Sequence, residues 1–341
     1  MKIIRIATVA LAFITTAATA EPISLTIGSG GEGGTYYPVV EEMAQFCNSP
    51  NLTISHYTED GKSVGGSIAN LEHLTHNKAQ AGIVQLDVAY LQKGTNPALA
   101  RIQALLPLHA ENLHFIVPMM ANVMVRPPEE AKATNLWQGS EAVFQLQQNP
   151  LASIQDLTGR RVVAWGGSVV SAKVVSQQTG YNFQVLQAKD RAEAMAMISS
   201  GQADAVLAVA GYPVDWIGTL PAKQYKLLSV PAGAKAALAA VYDMAGVSYN
   251  NLGATGQTLE TLKVDAVLMT RTYRTPKMIE ALSELKSCLQ EKIYEIQDTP
   301  GTHAAWQGMD LTRDMKWDNV FTSTAGRAVP RASVQLATPA E

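Results

Sequence analysis

The stretch SLTIGSGGEGGTYYP, residues 24–38, decides the fold. Residues 24–28 alternate as in a β-strand, a glycine-rich loop follows, and residues 37–47 have helical spacing with Pro38 tolerated in the first turn. The pattern continues over a strand, a glycine-rich turn, a helix and a further strand, at 52–57, 61–67, 68–77 and 81–85. A short helix is predicted around 88–92. This β-α-β-α-β order predicts a mostly parallel α/β sheet.

A second β-α run begins at residue 161, after a segment at 121–152 that we interpret as a loop with a short helix. Its strands and helices are predicted in alternation, at 161–165, 168–178, 183–186, 191–200, 203–209 and 225–230. A strand at 114–118 precedes this run. A strand at 263–270 and an amphipathic helix at 275–294 follow it.

The two runs predict two α/β lobes that hinge and bind a ligand in the cleft between them. We place lobe I at 21–113 plus about 265–325 and lobe II at 114–264. The last residues, 327–341, are predicted to form a disordered tail.

Composition excludes several classes of protein. The chain has 341 residues, of which 47% are hydrophobic and 16% charged, and its net charge is -3. Disordered chains need low hydrophobicity and high net charge, and disulfide-dense scaffolds need more than the two cysteines present here. The weak negative charge argues against electrostatic binding of nucleic acid.

The first twenty residues are predicted to be a secretory signal peptide. Lys2 and Arg5 precede an apolar run from Ile6 to about Ala18, and the small residues Ala18 and Ala20 flank a cleavage site. A membrane anchor is the alternative, but a spanning helix needs about 20 apolar residues. We therefore expect a periplasmic protein, and we expect it to be a monomer.

Export places the two cysteines in an oxidising compartment. Cys47 and Cys288 could therefore pair as a disulfide. Two separate buried thiols are the alternative, and the sequence leaves both interpretations open.

The first glycine-rich loop has two possible uses. Gly28, Gly30 and Gly33 follow a strand and precede a helix, which is the context of a dinucleotide-binding fingerprint. Export argues against it, because free NAD is scarce outside the cytoplasm. The simpler use is a helix N-terminus that donates N–H groups to a carboxylate, with hydroxyls from Thr35 and Tyr36 nearby.

Other strand ends carry similar groups. Ser67 follows a glycine pair, Asn70 lies one turn later, and Gln85 ends a strand, where parallel sheets place ligand contacts. A plain helix cap is the alternative role for Ser67. In the second run, candidate ligand contacts follow two strands, at Trp165, Ser168 and Tyr212.

Signatures of enzymes and metal sites are weak. The chain has no H-E-x-x-H, C-x-x-C, G-x-S-x-G or Walker motif. His73 and His76 share a helix face, but a solvated face explains them better than a metal site. We expect no catalytic residues, no metal and no cofactor.

Four segments together resemble a known family. They are GGTYYP (33–38), GGSIANLEHL (65–74), AGIVQLDVAYLQKG (81–94) and GQADAVLAVAGYP (201–213). With SIQDLTGRRVVAW (153–165), they are similar to the solute-binding subunits of tripartite ATP-independent periplasmic (TRAP) transporters, in the TAXI subgroup. The loop at 165–170 is sparser in glycine and serine than is usual in that family.

The resemblance implies a fold class and a function. The fold is an α/β periplasmic binding-protein fold of type II, with two lobes and a central ligand cleft. The function is capture of a small carboxylate, such as a glutamate-like amino acid, a dicarboxylate or a 2-oxo acid, and its delivery to a membrane permease. By matching position, the resemblance implies a set of ligand contacts, namely Gly34, Thr35, Tyr36, Ser67, Asn70 and Gln85 in lobe I and Ser168 and Tyr212 in lobe II.

A second hypothesis is an exported enzyme or ligand sensor on the same scaffold. An enzyme would need a titrating group poised in the cleft. Glu32, Glu59 and Asp87 are the candidates near the predicted cleft.

Overall fold

The fold is given by a computed structural model of the chain. It describes four ranges of residues, namely 22–126, 143–221, 223–252 and 257–322. The predicted signal peptide at 1–20 and the predicted tail at 327–341 lie outside the described residues.

The described strands are numbered here in chain order. They are β1 (Ile23–Gly28), β2 (Leu52–His56), β3 (Thr58–Glu59), β4 (Lys62–Ser63), β5 (Ala81–Gln85), β6 (Ile102–Pro118), β7 (Met120–Arg126), β8 (Val143–Gln148), β9 (Arg161–Ala164), β10 (Gln184–Gln187), β11 (Ala205–Gly211), β12 (Tyr225–Leu227), β13 (Asp243–Val247) and β14 (Leu259–Arg271).

The described α-helices are numbered in the same way. They are α1 (Tyr36–Cys47), α2 (Ser67–Thr75), α3 (Leu86–Lys93), α4 (Ser168–Thr179), α5 (Arg191–Ser199), α6 (Asp215–Gly218), α7 (Ala232–Leu238) and α8 (Pro276–Asp298). Short 3₁₀ helices lie at Pro97–Arg101, Ile154–Leu157 and Ala304–Gly308.

One mixed sheet runs through the molecule in the order β10-β9-β11-β6-β14-β5-β1-β2. Strands β1, β2 and β5 are parallel to one another, as are β9, β10 and β11. The two long central strands, β6 and β14, run antiparallel to their neighbours. We call the half built on β1, β2 and β5 lobe I, and the half built on β9, β10 and β11 lobe II.

Strands β6 and β14 belong to both lobes. Strand β6 pairs with β14 from Ile102 to Asn112, and with β11 of lobe II from Glu111 to Ile116. Strand β14 pairs with β13 before Val264 and with β5 of lobe I after it. The change of partner lies at Glu111 and Asn112 in β6 and at Val264 in β14.

The lobes share part of their apolar core. One cluster packs α1 and α8 against β1 and β5 in lobe I, and another packs α5 and α6 on lobe II. The largest cluster crosses between the lobes, because Leu86 and Val88 of α3 pack with Val170 and Val174 of α4. Burial of apolar area at roughly 25 cal/mol per Å² therefore stabilises contact between the lobes as well as each lobe alone.

Two regions differ from the sequence-based expectation. The strand predicted at 114–118 is the end of a strand that begins at Ile102. The segment at 121–152, interpreted as a loop with a short helix, contains the paired strands of the β7–β8 hairpin, one on each side of residues 127–142. Residues 127–142 themselves lie outside the described residues. Strand β13 and helix α7 were not predicted.

The α/β fold class is confirmed. Two α/β halves share the long strands β6 and β14 of one mixed sheet. In the parts of the chain that the structure describes, no helix is long and apolar enough to cross a membrane.

Candidate functional site

Three of the predicted residues meet at one wall of lobe I. Tyr36 is the first residue of α1, Ser67 is the first residue of α2, and Gln85 is the last residue of β5. The Ser67 hydroxyl oxygen accepts a hydrogen bond from the Gln85 main-chain N–H at 2.9 Å and lies 3.3 Å from the Tyr36 hydroxyl. All three side chains are buried. Ser67 therefore joins two helix starts to a strand end, and this bond replaces the helix cap considered for it.

Two residues that the sequence did not single out complete this wall. The Tyr36 hydroxyl donates a hydrogen bond to Glu111 Oε2 at 3.0 Å, and its ring packs edge-on against His109 with centroids 5.8 Å apart. Glu111 Oε1 lies 3.5 Å from His109 Nε2, and both side chains are buried. Burial, followed by the charge of Glu111, raises the pKa of Tyr36 well above its ordinary value. The phenol therefore stays protonated and acts as a donor.

The opposite wall comes from the loop before α4 in lobe II. A Cβ atom on Gly167 would overlap Gln85 Oε1 and would lie 3.8 Å from Ser67 Oγ. The backbone of lobe II therefore approaches the wall of lobe I so closely that a Cβ atom at residue 167 would require the Gln85 side chain to move. The two lobes are in contact at the predicted cleft.

The remaining lobe II candidates are bound to lobe II itself. The Ser168 hydroxyl accepts a hydrogen bond from the Val209 N–H at 3.1 Å. The Trp165 ring packs at 6.2 Å from the ring of Trp216. Tyr212 is 41% exposed and exchanges hydrogen bonds with the main chain of Ser248. The structure thus brings Ser168 to the start of α4, whereas the named partners of Trp165 and Tyr212 lie within lobe II.

Asn70 has a structural role rather than the predicted ligand contact. Its amide nitrogen donates to the carbonyl oxygens of Ser29 at 2.7 Å and Ile83 at 2.8 Å, and the side chain has no exposed surface. Cβ atoms on Gly28 or Gly65 would each lie 2.6 Å from Asn70 Oδ1. The glycines near the loop therefore make room for this side chain, which holds β1 and β5 together.

Replacing Asn70 by alanine is expected to lower the free energy of unfolding by about 1–3 kcal/mol, because two buried carbonyl groups lose their donor. Urea denaturation monitored by circular dichroism measures this change. Asn251→Ala is the matched control, since its amide also donates to two carbonyl oxygens, but at a half-buried site in lobe II. A loss of stability no larger than that of an exposed substitution would contradict the structural role.

Main-chain amides at the helix starts are less available than the sequence suggested. The Gly34 N–H donates to Gly31 O at 2.9 Å, and Gly34 itself is exposed. The N–H groups of Ser168, Val169 and Val170 donate to the carbonyl groups of the preceding loop, at 2.9–3.3 Å. Most of the peptide N–H groups expected to bind a carboxylate therefore already donate hydrogen bonds within local turns. Side chains are the better candidates for contact with a ligand, and half-buried Thr35 directly precedes Tyr36 in the chain.

Several buried polar atoms have no hydrogen-bond partner among the described residues. At this wall they are Gln85 Nε2 and both ring nitrogens of His109, and elsewhere they include Asn70 Oδ1, His73 Nδ1 and His114 Nδ1. A buried polar group without a partner costs about 1–3 kcal/mol. Gln85 and His109 therefore offer groups at the inter-lobe site that are free to hydrogen-bond a ligand or water.

Asp87 links the lobes beside this site. It follows Gln85 in the first turn of α3, and its Oδ2 accepts hydrogen bonds from Ser171 Oγ at 2.5 Å and Tyr242 Oη at 2.8 Å, both in lobe II. Burial raises the pKa of Asp87 to about 6, although these hydrogen bonds oppose the increase. Its oxygens are thus engaged in contact between the lobes. Of the other two acids considered for catalysis, Glu32 is exposed, and Glu59 is exposed and pairs with Lys78 at 3.0 Å.

A large cavity lies elsewhere on lobe II. It has a volume of about 1040 Å³ and is lined by the β7–β8 hairpin, the end of α5 and the start of β9 at Arg161. Gly167 follows the other end of β9, so the cavity and the inter-lobe site are separated by the length of that strand. The exposed apolar side chains on the hairpin are Met120, Phe144 and Leu146.

Comparison with known proteins gives a partial family match and several structural likenesses. Residues 27–124 match the NMT1-like family. A periplasmic binding protein of an arginine transport system from Legionella pneumophila is similar at 14% identity and a TM-score of 0.42, over 80% of this chain and 95% of that one. An ancestral arginine-binding protein bound to arginine has 12% identity and a TM-score of 0.46, over 80% and 93%.

The ligand-binding core of GluR0 in complex with L-glutamate is also similar, at 12% identity and a TM-score of 0.43, over 80% of this chain and 95% of that one. At these values the likenesses transfer neither a ligand nor a partner to this chain.

Proposed function

We propose that this chain is an extracytoplasmic solute-binding protein that captures a small carboxylate between its lobes. The observation that carries the proposal is the approach of Gly167 in lobe II to Gln85 and Ser67 in lobe I. A ligand that contacts both walls favours the closed arrangement by its differential affinity for the closed and open states. The ligand class is a glutamate-like amino acid, a dicarboxylate or a 2-oxo acid.

Side chains supply the recognition chemistry in this proposal. The buried Gln85 amide has an uncommitted nitrogen that donates to a ligand carboxylate. The hydroxyl of Ser67 accepts from Gln85 N–H, so its own proton is directed toward Tyr36 or a ligand oxygen. Neutral donors in a desolvated site bind a carboxylate without an arginine, because hydrogen bonds to charged groups contribute about 1.5–3 kcal/mol.

The role is binding and delivery rather than catalysis, and it requires no cofactor. The partner proposed is the membrane permease of a TRAP transporter of the TAXI type, with the protein acting as a periplasmic monomer. Support for this finer assignment comes from the resemblance of GGTYYP (33–38) and QLDVAY (85–90) to that family. Both segments fall within the stretch that matches the NMT1-like family.

A thermal-shift screen of the purified protein against amino acids, dicarboxylates and 2-oxo acids tests the proposal. Binding to the folded state raises the melting temperature, and the increase grows with the logarithm of the ligand concentration once this exceeds Kd. At least one member of these classes is expected to raise it at millimolar concentration. If all of them leave the melting temperature unchanged, the proposed ligand class is wrong.

Replacing Ser67 or Thr35 by alanine is expected to weaken binding of the ligand found in that screen by about 1–3 kcal/mol, since each variant removes a hydroxyl at the site. Isothermal titration calorimetry measures the change. Thr95→Ala is the control, because its exposed hydroxyl donates to Gln92 O at the end of α3 distant from Gln85. Wild-type affinity in both site variants would show that the ligand binds elsewhere.

A further inference from the structure

Glu111 lies where the two lobes meet. Its main chain pairs with Val264 of β14 on one side and with Gly211 of β11 on the other. The side chain is 5% exposed and points to the start of α1, where its Oε2 accepts the hydrogen bond from Tyr36. The carboxylate therefore belongs to the wall that holds Tyr36, Ser67 and Gln85.

The charge of Glu111 has little compensation from the protein. Among the described residues, His109 is the sole basic side chain within ion-pair distance, at 3.5 Å, and no lysine or arginine pairs with the carboxylate. The second buried carboxylate, Asp87, is close enough to interact with it electrostatically. Burying a carboxylate without a cation is costly, so a site of this composition favours a ligand that brings positive charge.

A ligand that carries only negative charge fits this wall poorly. A dicarboxylate or a 2-oxo acid would place its charge against Glu111 and would leave the carboxylate unpaired. An α-amino acid carries an ammonium group that pairs with Glu111 and a carboxylate that accepts from Gln85 Nε2. The wall thus offers the acceptor Glu111 to the ammonium end of a zwitterion and the donor Gln85 Nε2 to its carboxylate end.

We propose that Glu111 is a specificity-determining residue that accepts a hydrogen bond from the ammonium group of the ligand. The site thereby selects an α-amino acid over the matching 2-oxo acid or dicarboxylate. Tyr36 is a positioning residue, because its hydroxyl fixes one carboxylate oxygen and leaves Oε1 directed toward His109 and the ligand. This inference rests on the proposed function and narrows its ligand class.

Three matched pairs of compounds test the assignment by calorimetry at pH 7.5. The pairs are L-glutamate with 2-oxoglutarate, L-alanine with pyruvate, and L-leucine with 4-methyl-2-oxopentanoate. Each pair differs only at the α-carbon, which carries an ammonium group and a hydrogen in one compound and an oxo group in the other. In the wild-type protein the amino acid of the binding pair is expected to bind at least about tenfold more tightly than its 2-oxo partner. In Glu111→Gln, which keeps the shape and the acceptor for Tyr36, this ratio is expected to fall close to one.

The control and the contrary outcomes separate this inference from the proposed function. Asp314→Asn removes an exposed carboxylate outside the site and is expected to keep the wild-type ratio. A 2-oxo acid that binds the wild type as tightly as its amino acid partner would overturn the inference and would leave the proposed function standing. An unchanged ratio in a folded Glu111→Gln variant would also overturn it. If dicarboxylates are the one class that binds in the thermal-shift screen, the inference is wrong and the proposed function stands. If no compound in that screen binds, both are wrong.

Discussion

Loss of the Cys47–Cys288 bond is expected to lower the free energy of unfolding by about 4 kcal/mol. In the structure these residues form a disulfide that joins the end of α1 to the middle of α8. The bond spans 241 residues of sequence, including all of lobe II, so it removes much of the conformational freedom of the unfolded chain. For a protein of this size, such a loss corresponds to a fall of roughly 6 °C in melting temperature.

Differential scanning calorimetry with and without reductant measures the effect. Reductant acts on this bond alone, because the chain contains two cysteines. The double variant Cys47→Ala and Cys288→Ala is expected to melt like the reduced wild type and to be insensitive to reductant. An unchanged melting temperature, together with two thiols that titrate in the untreated protein, would show that the bond does not form.

Stability is expected to fall by about 2 kcal/mol between pH 4 and pH 6.5, out of about 3 kcal/mol in total, through the contribution of Asp87. Burial raises the pKa of this carboxyl group from 3.8 to about 6, and each pKa unit corresponds to about 1.36 kcal/mol. Between these values the folded protein holds a proton that the unfolded chain has lost, so raising the pH favours unfolding. The contribution of this group is fully present below pH 3.8 and is lost as the pH rises through about 6.

The variant Asp87→Asn isolates this effect. Asparagine cannot ionise but still offers an oxygen to Ser171 and Tyr242, so the fall in stability across this pH range is expected to shrink in the variant. Urea denaturation at intervals of half a pH unit measures it for the wild type, for Asp87→Asn and for Asp314→Asn, which removes an exposed carboxylate. The same pH dependence in all three proteins would contradict the role of Asp87.

The sequence predicted the parallel strands and their helices well, because each has a single apolar pattern. Strand β5 was predicted with the bounds that the structure gives, and the starts of α2 and α4 were placed to within one residue. The glycines before α2 and α4 and the polar Gln85 at the end of β5 are local signals. Such signals can be recognised in the sequence without knowledge of long-range contacts.

The long shared strand β6 was missed over most of its length for a physical reason. Pro107 lacks an N–H group, and the polar residues His109, Glu111 and Asn112 interrupt the apolar run, so only its end at 114–118 has the pattern of a strand. Two of these polar residues, His109 and Glu111, are the site residues that the sequence analysis did not single out. Polar residues within an otherwise apolar stretch of 17 residues were the available signal.

The contacts of the site depend on tertiary structure and could not be inferred from spacing. Asn70 has the sequence position of a ligand contact, but the fold turns its amide toward Ser29 and Ile83. The closeness of Gly167 to Gln85 arises from packing between α3 and α4, which are far apart in the sequence. The local sequence pattern therefore indicated where polar side chains able to bind a ligand lie. Tertiary packing determines which of them are instead hydrogen-bonded within the protein, as Asn70 is.

Hydrogen–deuterium exchange, measured with and without the compound that binds in the screen, tests the central claim most directly. Capture between the lobes predicts slower exchange in peptides from both walls, those containing Tyr36, Ser67 and Gln85 and the one containing Gly167. Peptides that line the separate cavity at 198–204 are expected to exchange at the same rate in both conditions. Protection confined to that cavity, or to one lobe alone, would contradict the account.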